Sequence, residues 1–420
     1  MSQLALERLR ISIPDNRTFE PSFEVKRFDP SRIERLAEII VNRALKIGSD
    51  DRLLLRYDPG GSQLAQFVAY KAAEKGAAVL PRSNDPLVLA AVLAGVAQNE
   101  TPRVFNEMAA GENGDISWAT KVSIIRSSDF PEAMDVVPGD ISKKWNQATE
   151  AALRLRVDRR PWNLIYLPTE AEAKIDGMNY EDYLEMFFRA CDRPWDQIDA
   201  AQEILANEIL NPGKQLELFG GEKLEEKWRT YLTMSIEDQT FANSTIDRNI
   251  PGSEVFSSPN RGTINGRLAL PYPVMFAGRR SPNLILEFKD GKVVNFEVES
   301  DNLENTKWME SALNADEGAR EVGEVALGTN RVFNRPMLNG LFVEKVGGSF
   351  HIAIGSSYLF TEYNGKLVHL DNGVRSVYHE DLTCMMLPEF GGGRVLIDGK
   401  LIQENGNFLD PRLAVLNLSF

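Results

Sequence analysis

The hydrophobic pattern of this chain changes near residue 249. Before that point, residues 31–47 place apolar side chains at helical spacing, residues 52–57 form a short apolar run, and residues 62–75 are again amphipathic. This alternation of helix and strand predicts a parallel sheet covered by helices. The same pattern predicts four further elements: a helix that starts at 84–86 and runs to 97, a strand at 121–126, a helix at 141–155 and a strand at 163–167.

After residue 249, turn-linked strands replace the helices. Asp290-Gly291 and Asp398-Gly399 each lie between two runs in which apolar and polar residues alternate. An Asp-Gly pair in this setting strongly indicates a β-hairpin. One helix is expected within this β-rich part, near residues 305–322.

The change of pattern predicts two domains, and the length of 420 residues agrees, because one hydrophobic core seldom organises a chain of this size. Residues 179–232 have a mostly helical pattern and are expected to connect the two parts. The predicted fold is an α/β N-terminal domain with a parallel sheet over residues 1–248, followed by an α+β, β-rich domain over residues 249–420.

Composition excludes several classes of protein. No apolar run approaches the roughly 20 residues that span a bilayer, and residues 1–17 lack the features of a secretory signal. The two cysteines, Cys191 and Cys384, are too few for a disulfide framework, so we expect a cytoplasmic location. A net charge of -14 disfavours binding to nucleic acid, which normally requires clustered Lys and Arg.

The chain concentrates its three histidines, His351, His369 and His379, in one short stretch among carboxylates. Imidazole is the commonest protein metal ligand, so this grouping suggests a metal or acid-base site. Two further carboxylates, Glu254 and Glu324, lie in apolar contexts, where a charge is costly to bury unless it is paired or bound to a cation. Mixed Glu, Asp and His ligands suit zinc, cobalt or manganese better than calcium.

Four motifs occur in order along the second half: N-I-P-x-x-E-V-F-x-x-P at 249–259, G-E-V-A-L-G at 323–328, E-K-x-G-G-x-x-H-I-A-I-G-x-x-Y at 344–358, and H-x-D at 379–381. In this order they resemble the motifs of the thermophilic metalloaminopeptidases, the family of aminopeptidase T and aminopeptidase S. The resemblance spans most of the chain. It implies a two-lobed cytosolic homodimer whose C-terminal, catalytic lobe removes N-terminal residues from peptides at a dinuclear divalent-metal site.

Position by position, the resemblance implies ligands for two zinc, cobalt or manganese ions per chain. These ligands are Glu254, Glu324, His351, His379 and Asp381. It also implies catalytic roles, and the residues concerned are Glu324, Glu344 and Tyr358. Such chemistry requires a metal-bound water, a carboxylate to accept its proton, and a donor to the oxyanion. One departure concerns the third motif: many relatives place its glutamate five residues before the histidine, whereas Glu344 precedes His351 by seven.

Other interpretations of these residues remain open. His351 on the alternating run FHIAIG is also compatible with a core histidine. A second H-x-D pair, His369 and Asp371, competes with His379 and Asp381, but its setting resembles a strand that ends at an Asp-Asn-Gly turn, so we expect a structural role. Two alternative functions are an amidohydrolase that acts on a non-peptide amide and a catalytically silent relative that serves as a binding or structural module.

Overall fold

The structure is a computed structural model that describes residues 27–98, 102–127, 129, 132–298 and 303–420. The prediction about a secretory signal concerns residues 1–17 and so lies outside the described residues. Among the described helices, none combines the length and the apolar character needed to cross a membrane.

The secondary structure alternates in the first part and is dominated by strands in the second. The elements up to residue 204 are α1 Pro30–Glu38, β1 Arg52–Tyr57, α2 Ser62–Glu74, β2 Ala78–Ser83, α3 Pro86–Val96, α4 Pro102–Trp118, β3 Lys121–Ser127, α5 Gly139–Arg159, β4 Trp162–Leu167, α6 Glu170–Ile175, α7 Tyr180–Cys191 and α8 Trp195–Ile204. The later elements are β5 Gln215–Gly220, β6 Thr230–Ser235, β7 Ala242–Ser244, β8 Asn249–Ile250, β9 Glu254–Ser257, β10 Asn265–Leu270, β11 Val274–Phe276, β12 Arg279–Ser281, β13 Leu284–Lys289, β14 Lys292–Glu297, α9 Leu303–Leu313, β15 Val322–Gly328, β16 Ser349–Gly355, β17 Glu362–Tyr363, β18 Lys366–Leu367, β19 His379–Met385, β20 Gly393–Ile397, β21 Lys400–Glu404 and β22 Asn407–Phe408.

The N-terminal part is the predicted parallel sheet with helices. Its described strands are all parallel and follow the order β2-β1-β3-β4-β8. Local sequence sets the helix starts: Asp29 and Asp85 each accept a hydrogen bond from the backbone two residues later, and each precedes a proline at the first helical position. The predicted α/β character of this part is therefore confirmed.

The prediction of a mostly helical segment over residues 179–232 is wrong for its second half. The longer helices end with a π-helical stretch, Leu205–Leu210. Residues 215–220 and 230–235 form strands β5 and β6, with a short 3₁₀ turn, Glu226–Trp228, between them. The physical reason is a period of two, because every second side chain of β5 is buried.

The largest sheet of the later strands is antiparallel and has eight described strands, in the order β14-β13-β10-β6-β5-β20-β21-β22. Both predicted hairpins are present. Asp290 and Gly291 have φ values of 50° and 83°, and Asp398 and Gly399 have 49° and 76°. Two successive residues with positive φ are typical of a type I′ hairpin turn.

The helix predicted at 305–322 is shorter than expected, because α9 ends at Leu313 and strand β15 begins at Val322. Between them, the Asp316 side chain accepts a hydrogen bond from the Gly318 backbone and so favours a turn. Strands β5, β6 and β7 precede residue 249 but pair with strands that follow it. A domain boundary between residues 248 and 249 stays a prediction.

Candidate metal centre

A second antiparallel sheet, with described strands in the order β19-β16-β15-β9-β7, carries the predicted ligands on four adjacent strands. Side chains alternate between the two faces of a strand, so the pairing register decides which of them meet. Glu324 pairs with Ala353, which lies two residues from His351 on β16 and pairs with Asp381 on β19. The register therefore brings all the predicted ligands to one face; they are Glu254, Glu324, His351, His379 and Asp381.

Small residues between the ligands leave room above this face. Gly328 stands opposite Glu254, Ala326 opposite His351, and Ala353 opposite both Glu324 and Asp381. Gly355, opposite His379, has a φ of 110°, and a Cβ there would lie 2.1 Å from the Tyr378 carbonyl oxygen. A Cβ at Gly328 would likewise lie 2.2 Å from the Val346 carbonyl oxygen, so both glycines are required by close backbone. The two alanines lie on the same face as the ligands, where larger side chains would crowd them.

Glu324 lies at the centre of the cluster. Its Oε2 is 2.9 Å from His379 Nε2 and accepts a hydrogen bond of 2.7 Å from the Tyr358 hydroxyl, while its Oε1 is 3.7 Å from His351 Nε2. Three groups of side chains bring their ligand atoms within 4.8 Å of one another. The groups are Glu254–Glu324–His351, Glu324–His379–Asp381 and Glu344–His351–Asp381.

The inner atoms of the cluster fit a divalent cation. Glu254 Oε2, Glu324 Oε1, Asp381 Oδ1 and both ring nitrogens of His351 are buried and have no hydrogen-bond partner among the described residues. Buried polar atoms without partners are costly, and acceptors that converge in this way are satisfied by a metal ion. The mixture of carboxylate and imidazole donors matches zinc, cobalt or manganese. His379 has its Nδ1 2.7 Å from the Ser356 carbonyl oxygen, an outer contact that turns its Nε2 toward the cluster.

The crowding of charge shifts the pKa values in this cluster. Burial raises the pKa of Glu254 to about 8 and, with the nearby charge of Glu344, raises the pKa of Asp381 to about 7. Burial opposes ionisation of Glu324 as well, but the hydrogen bond from His379 and the nearby charge of His351 outweigh it and hold its pKa well below the usual range. Burial would lower the pKa of His351, yet the nearby charge of Glu324 raises it to about 9. The cluster thus retains protons at neutral pH that a bound cation would displace.

The sequence profile of the thermophilic metalloprotease (M29) family matches residues 29–406. The chain belongs to this family. Aminopeptidase 2 of Geobacillus stearothermophilus is 34% identical over 121 residues, which are 28% of this chain and 28% of the relative. Aminopeptidase AmpS of Bacillus subtilis is 30% identical over 139 residues, which are 32% of this chain and 32% of the relative. These alignments cover about a third of the length of either relative. The family resemblance inferred from the four motifs is confirmed.

Two solved structures share the fold of this M29 chain. AmpT from Thermus thermophilus superposes with a TM-score of 0.69 at 19% identity, covering 90% of this chain and 99% of AmpT. A 2,5-dihydroxypyridine dioxygenase from Pseudomonas putida KT2440 superposes with a TM-score of 0.54 at 11% identity, covering 92% of this chain and 99% of the dioxygenase. At these identities the comparison supports the two-part fold and carries no assignment of activity.

Glu344 and Tyr358 border the cluster. They are the other two residues to which the resemblance gives a catalytic role in this M29 chain. Glu344 lies on a 3₁₀ turn before β16, and its Oε1 accepts a weak hydrogen bond of 3.5 Å from the Asn249 side chain. Tyr358 packs against the Phe256 ring, with ring centroids 5.0 Å apart, while its hydroxyl reaches Glu324. The altered spacing of the third motif therefore still leaves Glu344 beside the ligands.

Lys345 also enters the cluster, and the sequence interpretation missed it. Its side chain is fully buried, and its Nζ lies 2.5 Å from Glu254 Oε1 and 3.0 Å from Glu344 Oε2. The available indication was a lysine next to Glu344, with only apolar residues and glycines on either side of the pair in the segment FVEKVGG.

The two H-x-D pairs of the M29 chain have different surroundings. His369 is exposed, with its Nδ1 2.9 Å from the Asp238 carbonyl oxygen, and Asp371 forms an ion pair with Arg375 at 2.5 Å. Neither residue belongs to a group of described side chains close enough to share a cation, whereas His379 and Asp381 do. This placement agrees with the structural role expected for His369 and Asp371.

Two cavities border the cluster. One of about 120 Å³ is lined by His379 and Asp381 together with apolar residues such as Met275 and Met337. Another of about 490 Å³ extends from Glu344 past Asn249 toward Tyr166 at the carboxyl end of β4. Space for a substrate is thus available on two sides of the ligands.

Proposed function

We propose that this M29 chain is a metal-dependent aminopeptidase that hydrolyses the first peptide bond of substrates with a free amino terminus. The observation that carries the proposal is that two imidazoles and three carboxylates converge on one face of one sheet. Several of their inner atoms lack a hydrogen-bond partner among the described residues. The family and the names of its relatives support peptide hydrolysis.

We propose that the cluster holds two divalent ions, of zinc, cobalt or manganese, with Glu324 shared between them. Glu254 and His351 would complete one ligand set, and His379 with Asp381 the other. When bound, such ions polarise the scissile carbonyl and lower the pKa of a bound water. Both ligand sets draw on donors that the sheet register already holds within 4.8 Å.

The remaining residues of the site have distinct proposed roles. Glu344 is the proposed general base, because its carboxylate borders the ligands. Among the described residues, the backbone donates no hydrogen bond to this carboxylate. The hydroxyl of Tyr358, which donates to Glu324, is the proposed donor to the oxyanion, because it lies at the edge of the ligand cluster. Glu324 has a dual role, because it holds both the ligand geometry and this phenol.

A free substrate amino terminus could bind one of the two proposed ions. The amine would then place the first peptide bond beside the ligands, which would select the N-terminal bond. An acylated amino terminus would lose that contact. The homodimeric state and the cytoplasmic location that the resemblance implies stay predictions.

A panel of aminoacyl anilides and their N-acetylated counterparts tests the proposal. We expect turnover of the free-amine substrates only, loss of turnover after dialysis against a chelator, and recovery on addition of cobalt, zinc or manganese. Turnover of the acetylated amides would instead favour the amidohydrolase. A protein that is loaded with metal but turns over neither substrate would favour the silent relative.

A further inference from the structure

A fixed positive charge lies inside the ligand cluster. The Nζ of Lys345 contacts Glu254 Oε1 at 2.5 Å and Glu344 Oε2 at 3.0 Å, and its side chain has no solvent exposure. A buried amino group held between two carboxylates forms ion pairs with them, and in this arrangement it carries its proton as an ammonium.

The backbone of Lys345 is held on both sides. The Lys345 carbonyl oxygen accepts a hydrogen bond of 2.9 Å from the Asn330 backbone, and the Lys345 backbone donates one of 3.0 Å to the Phe342 carbonyl oxygen. Val346, the next residue, forms a bridge with Asn330. The backbone therefore keeps Lys345 beside the cluster, while the ammonium stands on a flexible four-carbon stem that allows it to be displaced.

The contacts of Lys345 divide the three groups of potential ligands unequally. Glu254 belongs to one group and Glu344 to another, so both groups share a carboxylate with the ammonium. The third group, Glu324–His379–Asp381, contains neither partner of Lys345. An ion at that third group keeps its full set of donors, whereas an ion beside Glu254 competes with Lys345 for the same carboxylate and meets its charge.

On the basis of the proposed metal centre, we propose that Lys345 is a built-in cation that occupies the Glu254 side of the cluster. The first divalent ion then binds tightly at Glu324, His379 and Asp381. The second ion binds only by displacing the ammonium. Lys345 thereby makes the two ion positions unequal. It is a positioning residue for metal occupancy and has no direct role in the chemical step.

Formal charge supports unequal positions. Metal ligands bind in their deprotonated forms, with carboxylates ionised and histidines neutral. In those forms the four carboxylates and Lys345 carry a charge of −3, and one divalent ion reduces this to −1. A second divalent ion would bring the charge to +1 if the ammonium remained in place. Like charges a few ångströms apart in a buried site repel strongly, so the second ion gains affinity only when Lys345 is removed.

The test is a manganese titration of the chelator-treated protein, with free Mn²⁺ followed by electron paramagnetic resonance. Wild type should bind one ion tightly and a second at least about tenfold more weakly, whereas Lys345→Met should bind the second ion about tenfold more tightly than wild type does. Lys71→Met is the matched control, because Lys71 also bridges two carboxylates, Glu34 and Glu38, on the N-terminal helices. This control should keep the wild-type stoichiometry.

Two outcomes would overturn this role of Lys345. Two ions bound by wild type with equal affinity would do so, and this result does not depend on whether Lys345→Met folds. A folded Lys345→Met with an unchanged second affinity would show that Lys345 is only a structural ion-pair partner. No binding by any of the proteins would overturn the metal centre itself, whereas normal binding without turnover of aminoacyl anilides would overturn only the peptidase proposal.

Discussion

Strand β1 of the parallel sheet and strand β16 of the ligand-bearing sheet of this M29 chain each bury a run of side chains, with opposite energetic consequences. On β1 the buried run is Leu53, Leu54 and Leu55, whose burial is favourable by itself. On β16 all seven residues are buried, but Ile352 and His351 face opposite sides, one apolar and one charged. Burial of the charged face costs free energy unless a cation or a partner neutralises it. The first sheet therefore contributes stability, and the second uses part of that stability to hold a reactive cluster.

The largest expected effect comes from removing a proposed ligand. Glu254→Gln and His351→Ala should each reduce peptidase turnover by more than about a hundredfold, because each removes a metal-binding atom from the cluster. This loss exceeds the one typical for a residue that only hydrogen-bonds to a ligand. Circular dichroism should remain native and metal content should fall. Turnover like that of wild type in either variant would remove the residue from the site.

The two H-x-D pairs offer a matched comparison on one chain. His379→Ala should lower metal content and turnover together, because its Nε2 lies 2.9 Å from Glu324. His369→Ala should change stability at most, because its ring is exposed and contacts a backbone oxygen. The opposite pattern, measured by metal analysis and kinetics on the same preparations, would transfer the role to His369 and Asp371.

Tyr358→Phe should separate a catalytic hydroxyl from a packing residue. A hydrogen bond that strengthens only in the transition state lowers kcat when it is lost, so we expect a decrease on the order of a hundredfold with KM and metal content nearly unchanged. The ring contacts with Phe256 and Phe360 are retained in the variant. A kcat within a few-fold of wild type would leave Tyr358 with a packing role only.

A core substitution in the parallel sheet should have the reverse profile. Leu53→Ala removes a fully buried side chain and should lower the free energy of unfolding by about 2 to 5 kcal/mol. Metal bound per folded chain should not change, because the ligands lie on a different sheet. Chemical denaturation and metal analysis check both parts, and a loss of metal from the folded variant would show that the two sheets are coupled.

The smallest expected effect is a pH dependence of the metal-free protein. The folded-state pKa values of Asp381, Glu254 and His351 are raised to about 7, 8 and 9. A group with a raised folded-state pKa stabilises the fold below its unfolded pKa, and this contribution is lost as pH rises through the folded value. The chelator-treated protein should therefore lose thermal stability between about pH 5 and pH 9. Metal-loaded protein should lose less, and equal slopes for the two forms would contradict the link between this cluster and a cation.

The sequence predicted local features better than distant pairings. The hairpins at Asp290-Gly291 and Asp398-Gly399 were predictable because the turn chemistry lies within two residues. Strand β5 was missed because one short alternating run is ambiguous when helices precede it. The ion pair of Lys345 with Glu254 joins residues 91 positions apart, so only the folded register reveals it. The proposed ligands were identified through the family resemblance, and local spacing alone left His351 open to interpretation as a core residue.

Anomalous diffraction from crystals soaked in manganese or zinc tests the central claim most directly. At saturating metal the account predicts two peaks about 3.5 to 4 Å apart among Glu254, Glu324, His351, His379 and Asp381. At limiting metal one peak should remain, beside His379 and Asp381, with the Lys345 ammonium still against Glu254. An absence of peaks among these ligands, or peaks confined to His369 and Asp371, would contradict the assignment of this sheet face as a metal centre.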